Sequence, residues 1–361
     1  MPKRLIHWLF AAAVTAALIG TVLAAINYVD AVRILYKRLS ADSPYVYDEI
    51  DPRYLRTDPA ALITVRNPTA LRAARMRVRA AVWGPEGTGA ERRADLAGPA
   101  TLPAFAGAAN LDRMEELIAG AYRYTTHAFH LKPRRGNGAL VIYFHGYAGT
   151  FEMHAGHLKR LVAAGYGVLA YNYPGYGKGT LPRDYALQRF LTAEPYPLRI
   201  VAEPVVMGLN RLLDDGDYDR AHMLGFSAGG WLTSLIAAAD PRIESSVAVA
   251  GVYPLYLHEG LDRQPPAEHF FAPLNAAAGY PDLFVMAAAG PGRGQLQIFN
   301  RYDRCCYRNR KGMLYEAAVQ DAVAEIGLGG RFRVWIDESH PHHHISDDAM
   351  DVVMAFLEAQ R

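Results

Sequence analysis

From Ala139 to the C-terminus the chain alternates short apolar runs with helical patterns, and this alternation restricts the fold more than any other feature. The runs are "ALVIYF" (139–144), "GVLAYN" (167–172), "HMLG" (222–225), "SVAVAGV" (246–252), "LQIFN" (296–300) and "FRVWI" (332–336). Helical stretches lie between them at 152–164, 204–213, 229–239 and 312–325, and a last one follows at 347–359. Apolar runs without polar alternation belong to strands buried on both faces, and strands separated by helices pair in parallel. The pattern predicts an α/β fold, a mostly parallel sheet with helices on both faces. In such sheets ligands meet the carboxyl ends of the strands, so the turns leaving each run are where chemistry is expected.

The run "HMLG" leads into "GFSAGG", which makes Gly225, Ser227 and Gly229 a G-x-S-x-G between a strand and a helix. Glycines at those places allow a turn too sharp for side chains, and the turn lifts the serine hydroxyl out of the sheet. The plain alternative is a Gly-rich turn with Ser227 as an ordinary helix N-cap. The run "ALVIYF" ends in "HGYAG". A serine that attacks an acyl group needs two backbone N–H donors for the developing oxyanion. Ala228, after the serine, and Tyr147, after His145-Gly146, occupy those positions; His145 itself is expected to shape the loop rather than transfer protons.

A serine hydroxyl also needs a base, and the base needs a group to orient it. "RYDRCC" follows the run "LQIFN" and puts Asp303 at a strand's carboxyl end. Glu259, Asp262 and Asp282 also lie beyond the serine, but none follows a strand-like run directly. Next comes "HPHHH", with His340, His342, His343 and His344 just before the last helix. That helix is marked by Met350, Val353, Met354 and Leu357 at i, i+3, i+4 and i+7, by Ser346 as N-cap, and by Asp347 and Asp348 at its positive end.

With these pieces in place, the sequence resembles the α/β-hydrolase superfamily over roughly residues 111–360, through "YFHGYAGT", "YNYPGYGKG", "LGFSAGGW", "FNRYDR" and "PHHHISDDAMDVVMAFL". The resemblance implies a Ser-Asp-His hydrolase acting on an ester, thioester or amide, with no cofactor and no metal. It also implies His343 as the base, three residues before the cap Ser346, with His344 as the alternative. Two departures stand out: Pro174 where many relatives have Arg, and no Gly before Asp303. A weaker likeness is to membrane-anchored lipase and esterase members, which implies a lipophilic acyl ester as substrate. A serine peptidase or thioesterase is the runner-up, and a non-catalytic binding module on the same fold is the reading from another class. The aromatic connection 253–293 suits a lid over the serine, with helices of the main fold as the alternative, and the insertion 181–198 is expected to add to the mouth.

Metal chemistry is a poor fit. His340 and His344 are four apart and His154 and His157 three apart, yet neither pair has a Cys or His-Glu set beside it. A net charge of +2 gives no footing for nucleic acid. Neighbouring Cys305 and Cys306 are expected as thiols, since Cα atoms about 3.8 Å apart are closer than ordinary disulfides allow. Oligomeric state is left open by the sequence.

Upstream the signals are mixed. Leu5 to Val29 holds no Asp, Glu, Lys or Arg over 25 residues, and about 20 apolar residues cross a bilayer. A single-pass anchor with a juxtamembrane segment is therefore expected over 1–39, on a side left unresolved by basic residues at both flanks. The alternative is a secretory signal cleaved at "VLA" (22–24), which would leave the protein secreted or periplasmic. Residues 40–110 read as an extension packed on a catalytic domain of 111–361. In it "ARMRVRAAVWG" alternates like a strand with one solvated face, and "NLDRMEELIAGAYRY" starts like a helix capped by Asn110.

Overall fold

The computed structural model describes residues 3–28, 32, 50–85, 87, 92–147, 149–182, 189–192, 194–258, 266–303 and 305–359. Among them nine strands form one sheet: β1 (Asp95–Ala100), β2 (Leu111–Ala121), β3 (Tyr124–Pro133), β4 (Ala139–Phe144), β5 (Gly167–Tyr171), β6 (Arg220–Phe226), β7 (Ile243–Val249), β8 (Gly294–Asn300) and β9 (Arg331–Asp337). Their order is β1-β2-β3-β5-β4-β6-β7-β8-β9. The first three pairings are antiparallel and the other five parallel. All six strands expected downstream of Ala139 form, with ends shifted by up to three residues.

The helices are α1 (Lys3–Tyr28), α2 (Pro68–Trp83), α3 (Ala155–Ala163), α4 (Arg199–Asp214), α5 (Ala228–Ala239), α6 (Ala272–Ala277), α7 (Tyr280–Ala288), α8 (Met313–Ile326) and α9 (Asp347–Glu358). Two apolar layers sandwich the sheet. Leu140, Ile142 and Phe144 of β4 face one, with α2, α4, α5, α7 and α8. Ala139, Val141 and Tyr143 face the other, with α3 and α9. This two-sided burial is why "ALVIYF" shows no polar alternation. From β4 the chain crosses one face through α3 to β5, then returns over the other through α4 to β6. Strand order therefore reverses at β4, and in such sheets ligands bind at the carboxyl ends of the strands beside that reversal.

Two upstream elements differ from expectation. The stretch expected as a strand is α2: Asn67 accepts from the N–H of Ala70 and Pro68 takes the first turn. Its buried residues Leu71, Ala74, Val78 and Val82 are spaced by three and four, a helical stripe that the local Arg alternation conceals. Arg75 and Arg77 donate to the carbonyls of Ala238 and Ala277, in the last turns of α5 and α6. The stretch expected as a helix is β2, where Leu117, Ala119 and Ala121 are buried at period two and a tight turn joins β2 to β3. Asn110 holds a loop instead of capping a helix, donating to the carbonyls of Arg135 and Val162.

The expected membrane anchor over 1–39 finds no support: among the described residues no helix is long and apolar enough to cross a membrane. Residues 33–49, where the juxtamembrane segment was expected, lie outside the described residues, as do 183–188 and 193 of the 181–198 insertion. In the 253–293 connection, α7 is buried and packs on α5 as part of the main fold. Short turns at Leu255–Leu257 and Ala267–Phe270 precede it, and residues 259–265 lie outside the described residues.

Candidate active site

Ser227 stands between β6 and α5 with φ of 57° and ψ of −125°. Its N–H donates to the carbonyl of Val249, and its own carbonyl accepts from Gly230 and Trp231. A side chain could not fit beside this turn. A Cβ on Gly229 would lie 2.0 Å from the carbonyl oxygen of Phe144, and one on Gly225 would lie 2.1 Å from that of Gly229. The glycines thus serve close packing of strand, turn and helix.

Three elements converge on the serine hydroxyl. His343, in the loop between β9 and α9, has Nε2 2.9 Å from Ser227 Oγ. Its Nδ1 lies 2.6 Å from Oδ2 of Asp303, beyond the end of β8. With its proton on Nδ1, the imidazole donates to the carboxylate and accepts from the serine hydroxyl, the tautomer that a general base requires. Asp303 is fully buried, and its other oxygen accepts from the N–H groups of Cys305 and Cys306 at 2.7 and 3.2 Å. The ring of His343 lies against Phe226, 4.7 Å between centroids. Asp282, the rival carboxylate, is occupied elsewhere by the N–H groups of Thr64 and Val65 and the Thr64 hydroxyl; Glu259 and Asp262 lie outside the described residues.

The other imidazoles of "HPHHH" line the loop around His343. His340 Nε2 donates to Asp337, and its ring stacks on that of His344 at 4.0 Å. The N–H of His342 donates to His340 Nδ1. Two residues not singled out from sequence hold this loop. Asn300, the last residue of β8, donates from one amide nitrogen to the carbonyls of His342 and His344, pinning both neighbours of His343. Asp337, the last residue of β9, accepts from His340, Ser339 and Ser346. Burial works to raise its carboxyl, but those hydrogen bonds outweigh it and hold the group at about 2. The signal for both was their place at a strand's carboxyl end.

Gly146 packs directly on the serine, since a Cβ there would lie 2.6 Å from Ser227 Cβ and 3.1 Å from the nitrogen of Ala228. This sets the 145–147 turn beside Ser227 and the start of α5. His145 donates from Nδ1 to the carbonyl of Gly146 and stacks on His154; burial lowers its basicity. The Tyr147 hydroxyl donates to Glu268, as does that of Tyr173 at 3.2 Å. Glu268 belongs to the turn Ala267–Phe270 and is fully buried, which pushes its carboxyl up to about 7. Nothing in the sequence pattern marks this residue, because its partners are 95 and 121 positions away.

The cysteines differ from expectation: the structure bonds Cys305 to Cys306. The two residues sit in an irregular bend after Asp303, where consecutive side chains need not diverge as they do in a strand.

A mostly parallel sheet with a strained serine at the β6–α5 elbow, and the acid and histidine at the ends of β8 and β9, defines the α/β-hydrolase fold. The family model described as alpha/beta hydrolase fold matches residues 139–299 of the chain. A comparison with curated proteins finds no match. Among solved structures the chain is similar to acetyl xylan esterase 1 from Thermoanaerobacterium sp. JW/SL YS485, at 17% identity and a TM-score of 0.54, over 87% of this chain and 99% of that one. It is similar to a methylesterase at 18% identity and a TM-score of 0.55, over 85% of this chain and 66% of that one. A puromycin-hydrolyzing peptidase of Mycobacterium tuberculosis matches at 17% identity and a TM-score of 0.52, over 72% of this chain and 41% of that one. At such identities the likeness is one of fold.

Proposed function

We propose that the protein hydrolyses carboxylic esters through an acyl-enzyme, with Ser227 as nucleophile, His343 as base and Asp303 as the group that orients it. The observation that carries this reading is the continuous chain from Ser227 Oγ through both nitrogens of His343 to Asp303, at 2.9 and 2.6 Å. In the first half-reaction His343 takes the serine proton as Oγ attacks the acyl carbon, then returns it to the leaving alcohol. In the second, water attacks the acyl-serine and His343 acts again as base. The N–H groups of Ala228 and Tyr147 receive the oxyanion in both. The esterase neighbours, an acetyl xylan esterase and a methylesterase, agree with ester chemistry without deciding it.

We further propose a lipophilic acyl group, on the aromatic wall that Tyr147, Tyr173 and Tyr176 form at the oxyanion turn. A fluorophosphonate probe tests the core of the proposal. Wild type is expected to label and Ser227→Ala not to; equal labelling of the two, or none of wild type, would sink it. Aryl esters of increasing chain length, set beside thioesters and peptide amides, test the substrate class. Rates highest for acetyl esters would overturn the lipophilic part, and faster amide or thioester cleavage would favour the runner-up.

A further inference from the structure

The loop that supplies Asp303 runs straight into Cys305 and Cys306, and their two sulfurs and a ring nitrogen of His343 lie within 4.8 Å of one another. All three residues are partly exposed, so small solutes can reach them. Two thiolates and an imidazole are a donor set suited to soft divalent cations. Zinc takes sulfur at about 2.3 Å and nitrogen at about 2.0 Å, so a tetrahedral centre needs its donors roughly 3.5–3.8 Å apart, a separation the two sulfurs can take only once their bond is reduced. Adjacent cysteines seldom share one ion, because regular backbone sends their side chains apart. Here the bend has already brought both sulfurs together, as their bond shows.

We propose that the reduced Cys305–Cys306 pair and His343 bind a soft divalent cation of the zinc group, and that occupancy switches the hydrolase off. The switch rests on the reading of His343 as the base. Both nitrogens of that ring are in use, Nδ1 toward Asp303 and Nε2 toward Ser227. A cation on Nε2 removes the proton acceptor, and one on Nδ1 displaces the carboxylate. The same loop holds the acid through the N–H groups of Cys305 and Cys306, so cation binding acts on two members of the chain at once. The disulfide offers no thiolate, and oxidation therefore protects the enzyme. Reduction by a phosphine breaks the S–S bond, yields two thiols and turns the phosphine into its oxide with oxygen from water. Cation binding then releases the two thiol protons.

Cadmium ion is the probe, because its bonds to thiolate absorb in the ultraviolet and those to imidazole do not give that band. Phosphine-reduced, desalted protein titrated with Cd2+ is expected to show the thiolate band saturating at one ion per chain. Aryl-ester hydrolysis should fall at least tenfold in step with it and recover on adding a chelator. Oxidised protein, and the double variant Cys305→Ser/Cys306→Ser compared with its own cadmium-free rate, should show no band and less than a twofold change. A band without rate loss would place the ion away from His343 and overturn the switch. Rate loss in the oxidised protein or the double variant would place it on neighbouring histidines and overturn the site. Fluorophosphonate labelling of cadmium-free protein separates the two readings. Labelling without a band sinks the cation site alone, whereas no labelling sinks the hydrolase reading and takes the switch with it.

Discussion

At the scale of single residues, the four histidines of "HPHHH" divide into one that meets Ser227 and Asp303 and three that build the loop around it. On the proposed roles, His343→Ala is expected to lower kcat by about 10⁴-fold or more, since a serine nucleophile loses nearly all its advantage with its base, while His344→Ala stays within about tenfold of wild type. Steady-state rates on an aryl ester check both, and comparable losses at the two positions would reject the assignment. Glu268 yields a pH prediction. Its carboxyl, buried under Tyr147 and Tyr173, is raised from 4.5 to about 7, so between those values the folded protein holds a proton that the unfolded chain has released. Stability therefore falls as pH rises through that window, by about 3 kcal/mol in all. Glu268→Gln should flatten this slope in urea unfolding at pH 5 and pH 8, and an unchanged slope would show that the carboxylate is already accommodated.

At the scale of elements, the site depends on three strand ends held in register. β8 ends in Asn300, which pins the carbonyls on either side of His343, and three residues later supplies Asp303. Asn300→Ala should leave the fold intact but release the loop, and a misplacement of about 1 Å costs roughly 10²-fold in rate. The expected outcome is a fall in kcat with KM nearly unchanged and slower fluorophosphonate labelling. Wild-type labelling would show that Asp337 and the stacked histidines hold the loop unaided. Elements also show where local pattern misleads. In α2 the alternation of Arg75, Arg77 and Arg79 with apolar residues imitated a strand, although the buried stripe from Leu71 to Val82 is helical. In β2 an acidic, helix-like start hid the period-two burial of its second half. Both lie where tertiary partners outweigh short-range propensity.

At the scale of the whole molecule, the segment before the sheet is part of its core. Tyr54, Ile63, Val65, Leu71, Val78 and Trp83 join the same apolar layer as α4, α5, α7 and α8. Asp282 at the start of α7 ties that segment down through Thr64 and Val65. Asp282→Ala should therefore destabilise the protein by about 1–3 kcal/mol, because the buried N–H of Val65 loses its acceptor. Urea unfolding would read this, and a change under 0.5 kcal/mol would mean the segment is held by apolar contact alone. Legible along the chain were the alternation of strands and helices beyond Ala139, the glycine-flanked turn at Ser227, Asp303 at a strand's end and the cap of the last helix. These are short-range consequences of burial period and backbone sterics, and they appear within a few residues of one another. Packing of distant segments alone brings His343 rather than His344 against the serine, lays Glu268 beneath Tyr147, and seats two bonded adjacent cysteines beside His343. Each of those outcomes is a meeting of residues tens to hundreds of positions apart, set by how far the sheet twists and where its strands end, and no periodicity along the chain records such distances.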